Sequence, residues 1–275
     1  MRFGLDIPIS GKYADPHVLA DIAVQAEALG WDGVFVQDVL PLDDEPAIDP
    51  WLALAAIAMR TERVKIGAFL SPLVRRRPWQ IAKQAVTLDL LSAGRVVFGA
   101  ALGANEDEFR RFGEAWDPRI RAQKLDEALT VVAGMWTGEP FSFAGRHYSI
   151  DRVTSLPRPL QRPRIPVWVA AGWPHRRPLR RAAQWDGVYL MDTHQRTGER
   201  LSINDVAAIS QYLIDLRTHP STIDVAVVVD RTTTAADNRA KVDAYSSAGA
   251  TWWIEGWHGQ PPPLGSDRPE RLARA

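Results

Sequence analysis

The chain has 275 residues, 33 basic and 33 acidic, a formal net charge of zero and no cysteine. Balanced charge leaves no basic footprint for nucleic acid, and the lack of cysteine excludes disulfides, thiolate metal sites and thiol nucleophiles. The opening MRFGLDIPIS carries neither a long apolar run nor a cleavage signal, and the longest apolar stretch, WLALAAIAM at 51–59, is half a membrane span, so a soluble, cytoplasmic protein is expected.

Apolar runs alternate with amphipathic stretches from end to end. RFGLDIPI (2–9) predicts a strand, and 15–30 a helix capped by Asp15, with Pro16 in its first turn and Gly30 as its stop. GVFVQ (33–37), VKIGAFL (64–70) and RVVFGAAL (95–102) predict strands, separated by helices over 49–61 and 78–94. A helix over 118–136 follows, then strands at 165–171 and 187–191 around a short helix at 176–184. The chain continues with a helix over 203–218, a strand at 223–229, a helix over 234–249 and a strand at 251–255. Residues 138–164 break the rhythm: FSFAGRHYSI reads as a hairpin turning at Ala144-Gly145, and a proline-rich stretch leads on. The tail after 255 reads as a loop and a short final helix.

Eight strands alternating with helices imply parallel pairing through crossovers. Their continuously apolar composition suits strands buried on both faces. Eight such units close into a (β/α)8 TIM barrel of about 250 residues; an open doubly wound sheet would carry a glycine-rich phosphate loop after its first strand, and IPISGKYAD is not one. The expectation is a single α/β domain over 1–275 with an insertion at 138–164. WDGVFVQD (31–38) and WDGVYLMD (185–192) nearly repeat each other and open strands two and six. Each ends in an aspartate, Asp38 or Asp192, at a strand's C-terminal end, the catalytic face of such barrels.

Several chemistries lack their residues. There is no H-x-H pair for a metal hydrolase, no G-x-S-x-G elbow and no phosphate-loop signature, and no lysine ends a strand; no metal is expected. What the catalytic face offers is apolar, aromatic and short: Ala68 to Ser71, Leu102 to Asn105 and Ala171 to Pro174, with Trp252 and Trp253 on the last strand, of which one at most faces inward. Small residues at loop starts let backbone approach a ligand, and an apolar pocket beside them suits a flat, phosphorylated heteroaromatic cofactor.

The stretch RVKIGAFLSPLVRRRPWQIAKQAVTLDLLSAGRVVFGAALGANEDEFRRFG (63–113) resembles the bacterial luciferase-like monooxygenase family, as do RIRAQKLDEALTVVAGMWTGEPFSFAGRHYSI (119–150), RPRIPVWVAAG (162–172) and WDGVYL (185–190). The resemblance implies a TIM-barrel oxidoreductase that binds reduced FMN or the deazaflavin coenzyme F-420 at the strands' C-terminal ends. It places a cis, non-proline peptide at Phe69-Leu70 against the ring, Gly103, Ala104 and Asn105 along ring and tail, and Ala171, Gly172 and Trp173 at the phosphate. It implies a small, fairly apolar substrate, a flavin reductase or F-420 reductant as partner, and a homodimer for which the 51–59 helix is a candidate surface.

The sequence also departs from the family. Many members carry Asp-His after strand two, where this chain has Asp38-Val39; the acid that some carry after the strand-four glycine is Ala104; and the long insertion between strands seven and eight is missing. The candidates to supply acid–base chemistry are Asp38, His194 and His258. The alternatives to a flavin-dependent oxidoreductase are a non-catalytic flavin-binding barrel and a non-flavin barrel enzyme.

Overall fold

All eight expected barrel strands form, and each of the seven expected helices lies within about two or three residues of its expected bounds. The computed structural model describes residues 1–42, 44–192, 201–217, 222–229 and 235–256. The first half runs β1 (Arg2–Ile7), α1 (Pro16–Ala28), β2 (Gly33–Val36), α2 (Pro50–Arg60), β3 (Lys65–Ala68), β4 (Ser71–Pro72), α3 (Pro78–Leu91), β5 (Phe98–Ala101), α4 (Asp107–Arg110) and α5 (Pro118–Trp136). The second half runs β6 (Phe141–Ala144), β7 (Ser149–Val153), β8 (Val167–Trp173), α6 (Arg176–Ala182), β9 (Gly187–Asp192), α7 (Ile203–Leu216), β10 (Asp224–Val228), α8 (Ala235–Ser247) and β11 (Trp252–Gly256). The single turn α4 was not expected. The anticipated final helix and the loop after strand six lie outside the described residues.

The main sheet is parallel in the order β3-β2-β1-β11-β10-β9-β8-β5-β4. β3 and β4 are two pieces of one barrel strand, interrupted at Phe69-Leu70, and the ring is completed by the Ile66–Val96 bridge and the β4–β5 pairing. The result is an eight-stranded TIM barrel. Three helices begin with Asp-Pro: the carboxylates of Asp15, Asp49 and Asp117 accept N–H groups of the first turn, and the following proline supplies none.

Side chains alternate between two cores. One face of the strands packs on the helices, with Phe3, Ile7, Val34, Ile66, Phe98 and Trp253 among the buried residues. The other fills the barrel with Phe35, Phe69, Val97, Trp168, Tyr189, Ala226, Trp252 and Ile254. Trp252 therefore points inward and Trp253 outward. The interior rings interlock: Phe35 stacks on Phe69 at 3.8 Å between centroids, and Trp168 meets Trp252 edge-on at 5.3 Å. Glycines opposite make room for them. A Cβ on Gly187 would lie 2.3 Å from the Trp168 ring, and one on Gly33 would lie 3.0 Å from Trp252.

The repeated Trp-Asp-Gly phrase has a structural cause. Asp32 accepts the N–H of Phe3 at 2.8 Å, and Asp186 accepts that of Val167 at 2.8 Å. In both cases the aspartate ties the start of its own strand to the start of the neighbouring one, and the glycine clears space for an interior indole. One solution is thus used at β2 and again at β9.

The β6–β7 hairpin is held from α5. Glu127 accepts the backbone N–H groups of Arg146, His147 and Tyr148 at 2.8–3.0 Å. Burial opposes its ionisation, but these three donors hold its carboxyl below the ordinary glutamate range. Asp89, fully buried on α3, accepts from Leu160 and Gln161 and anchors the proline-rich stretch in the same manner.

Candidate active site

The C-terminal ends of the strands surround a cavity of about 960 Å³. Its wall takes Phe69 and Leu70 from the β3–β4 break, Gly103 to Asn105 from the loop after β5, and Ala171 and Gly172 from β8. Seven of the eight residues expected at a cofactor thus border one cavity. The eighth, Trp173, does not; Arg176 covers its ring at 4.7 Å, and His175 and Arg181 border the cavity from that side instead.

Local sequence builds this wall. The peptide between Phe69 and Leu70 is cis. Gly99 on β5 faces the break, and a Cβ there would lie 2.4 Å from the Ala68 carbonyl oxygen, 2.8 Å from the Phe69 ring and 3.1 Å from Leu70. Gly103 has φ of +84°, a backbone conformation that favours glycine, and a Cβ on it would strike the Phe109 ring at 2.7 Å. Arg121 then ties the loop to α5: its guanidinium donates to the Gly103 carbonyl at 2.9 Å and lies 3.5 Å from the centre of the Trp116 ring.

Asp38 reaches the cavity, but its carboxylate is committed. Arg76 donates to both oxygens at 2.7 Å, and Ser71 donates to Oδ2 at 2.7 Å. Arg75 lies 3.9 Å away and binds Glu108 at 2.6 Å. Burial holds the Glu108 carboxyl above its ordinary range, with Arg75 offsetting only part of the effect. Asp38, expected as an available carboxylate, is thus held by one bidentate guanidinium and one hydroxyl, which take up much of its acceptor capacity. His194 and His258 lie outside the described residues, as does the side chain of Asp192.

The residue that sequence reading passed over is Asp6. It sits near the C-terminal end of β1, on the inward parity of Gly4, 7% exposed and bordering the cavity. Burial pushes its carboxyl up to about 8, against the pull of a hydrogen bond from the Tyr189 hydroxyl. Its Oδ1 has no hydrogen-bond partner among the described residues. At neutral pH this is a protonated acid with a donor to offer. The signal was present as a carboxylate at an inward position near the C-terminal end of the strand, Arg2 of the same parity lying at the opposite end.

The luciferase-like monooxygenase family model matches residues 1–274. This chain belongs to that family. Among its luciferase-like relatives, the F420-dependent glucose-6-phosphate dehydrogenase of Nakamurella multipartita is 35% identical over 181 residues, 63% of this chain and 51% of that protein. The enzyme of the same name from Amycolatopsis mediterranei is 37% identical over 171 residues, 60% and 50% of the two chains. The oxygenase component of the flavin-dependent trigonelline monooxygenase of Acinetobacter baylyi is 32% identical over 129 residues, 47% of this chain and 36% of that one. The chain spans about half the length of the glucose-6-phosphate dehydrogenases it matches. Among solved structures, an F420-dependent secondary alcohol dehydrogenase in complex with an F420-acetone adduct superposes with a TM-score of 0.77 at 16% identity, covering 93% of this chain and 92% of that one. The monooxygenase RslO1 from Streptomyces bottropensis superposes with a TM-score of 0.71 at 23% identity, covering 90% and 77%. At these identities the likeness speaks for the luciferase-like barrel alone.

No helix among the described residues is long and apolar enough to cross a membrane.

Proposed function

We propose that this chain is an oxidoreductase that holds coenzyme F-420 at the barrel mouth and exchanges hydride with a small, largely apolar substrate. The observation that carries the reading is one cavity of about 960 Å³ bordered by an apolar wall, Phe69 and Leu70, and by backbone-rich loops at Gly103 to Asn105 and Ala171 to Gly172. A ligand pocket of this size and lining suits a flat heteroaromatic ring with a polar tail. A buried carboxyl oxygen at the same cavity, without a partner among the described residues, is a second mark of a site that expects a ligand.

In this reading Phe69 and Leu70 support the ring, and the Gly103 loop, held by Arg121, passes along it. Ala171 and Gly172, with His175 beside them, receive the phosphate. The coenzyme, when bound, supplies a two-electron hydride donor or acceptor. The chain's own task is to orient it, keep water out and manage the accompanying proton. Asp38, clamped by Arg76 and Ser71, fixes the ends of β2 and β4 against each other rather than moving a proton. F420-dependent relatives at 34–37% identity support F-420 as cofactor. FMN with oxygen is the second reading, supported by the trigonelline monooxygenase likeness, and would require a flavin reductase as partner.

Anaerobic mixing separates the two. Reduced F-420 should be oxidised by an organic acceptor, or oxidised F-420 reduced by an alcohol, without oxygen uptake. Oxygen consumption with reduced FMN, and inertness toward F-420, would overturn the preference.

A further inference from the structure

We propose that Asp6 is the proton donor and acceptor of this site for a carbonyl–alcohol interconversion, so that the substrate is an uncharged ketone, aldehyde or alcohol. The inference rests on the hydride-transfer reading above.

Hydride addition to a carbonyl carbon leaves negative charge on oxygen, and a neutral acid within hydrogen-bond reach is the group that quenches it. Three acids among the described residues border the cavity: Asp6, Asp38 and Glu108. Arg76 and Ser71 hold Asp38, and Arg75 holds Glu108, so both are tied as ion pairs. Asp6 alone of these three has an oxygen without a partner among the described residues. An ionised, unpaired carboxylate there would suffer the full cost of desolvation. Asp6 therefore holds its proton, and burial brings its affinity into the range where a donor can also take the proton back.

The groups facing this acid are few. From β9 Tyr189 donates to it; the same cavity is bordered by Gln37 and the clamped Asp38 just after β2, by Glu108 of α4, by Arg121, Arg181 and His175 from α5, α6 and the turn before α6, and by Tyr245 of α8, whose hydroxyl donates to the Leu201 carbonyl. Arg121 donates through one guanidinium nitrogen to the Gly103 and Leu102 carbonyls, its Nε having no partner among the described residues, and Arg181 pairs with Asp126. Arg121 lies on the Gly103 loop, the wall assigned to the cofactor, and Arg181 is held by Asp126, so a phosphorylated substrate would compete with the cofactor or with Asp126 for both arginines. A neutral acid with a phenol behind it instead matches a neutral oxygen acceptor.

With the reduced deazaflavin bound as its anion, a hydride with its two electrons would pass to the carbonyl carbon as the C=O π bond breaks, and the Asp6 O–H bond would break as its proton joins the oxygen. The products are an alcohol, an oxidised deazaflavin and the Asp6 carboxylate, which the Tyr189 hydroxyl stabilises until water returns a proton. Alcohol oxidation is the reverse. Tyr189 is a positioning residue, since it acts through Asp6.

The test uses the full chain with F-420 and cyclohexanone as probe. Wild-type protein should show the infrared C=O stretch of a protonated carboxyl at pH 6, titrating near pH 8, and D6N should lack it. Ketone reduction by wild type should fall above that pH; in D6N it should drop about 100-fold or more, with F-420 affinity within about twofold of wild type. Y189F should move the alkaline limb upward, because the lost hydrogen bond favoured the ionised form; this holds even if D6N does not fold. Persistence of the carboxyl band in D6N, an unchanged rate and pH profile, inertness of wild type toward cyclohexanone, or faster turnover of glucose 6-phosphate would each overturn the proposal while leaving F-420 binding in place. Failure of wild type to bind F-420 would remove the cofactor reading itself.

Discussion

The Tyr189 hydroxyl donates to the Asp6 carboxyl where the barrel's aromatic interior meets the cavity, and the Tyr189 ring stands edge-on to Phe69 at 5.4 Å. A buried acid, a phenol and the aromatic wall are thereby one contiguous unit. The aromatic interior that stabilises the barrel also raises the proton affinity of the acid at its mouth.

Stability should register this acid. Asp6 binds its proton more tightly folded, at about 8, than unfolded, at the model-peptide value of 3.8. Its contribution is fully present below the unfolded value and declines as pH rises toward about 8, by up to about 1.4 kcal/mol per pH unit. Asp6→Asn should flatten that slope and melt above wild type at pH 9. Thermal melts of both proteins between pH 5 and 9 check it; parallel curves would contradict a buried, protonated Asp6.

Breaking the Asp38 clamp should be costly without touching the proton chemistry. Asp38→Ala leaves Arg76 and Ser71 facing a vacated carboxylate that is 2% exposed. Removing one partner of a buried pair costs about 3–5 kcal/mol, and Arg76, at 23% exposure, recovers some hydration, so about 3 kcal/mol is expected. Urea unfolding measures it, and D6N and D38A should differ in kind: one in pH slope, the other in midpoint.

The wall at Phe69-Leu70 has no room for a methyl group on its neighbour. Gly99→Ala would place a Cβ 2.4 Å from the Ala68 oxygen, which backbone must yield to. Overpacking of this kind costs about 1–3 kcal/mol. The variant should also bind F-420 more weakly, read by fluorescence titration, because the displaced atoms include Phe69 and Leu70.

Arg121 should matter to ligand more than to fold. Its guanidinium bridges the Gly103 carbonyl and the Trp116 ring. Arg121→Met keeps much of the packing on Trp116 and frees the loop. F-420 affinity should fall about tenfold, the value of about 1.4 kcal/mol, with the melting temperature changed by only a few degrees.

Much of this architecture was legible because binary pattern and punctuation agree. Apolar strands, Asp-Pro helix starts and glycine stops specify the eight barrel strands and the seven helices between them, but neither β4 nor α4. Alternation even sorted Trp252 from Trp253, though not which of them faced inward. The Asp38 network was invisible because Arg75, Arg76 and Ser71 lie more than thirty residues downstream, and only the barrel brings them to β2. Asp6 and Tyr189 were hidden inside strands read for their hydrophobicity, where parity rather than composition carries the information. Trp173 was assigned by resemblance to a loop whose side chain here turns toward Arg176.

The central claim is that the cavity at the barrel mouth is a deazaflavin site. Calorimetric titration of the purified chain with F-420, and in parallel with FMN, tests it most directly. The account predicts one F-420 bound per chain with low-micromolar or tighter affinity, FMN weaker, and clear weakening in G99A. Absence of binding by either cofactor at tens of micromolar would contradict it and leave only the barrel.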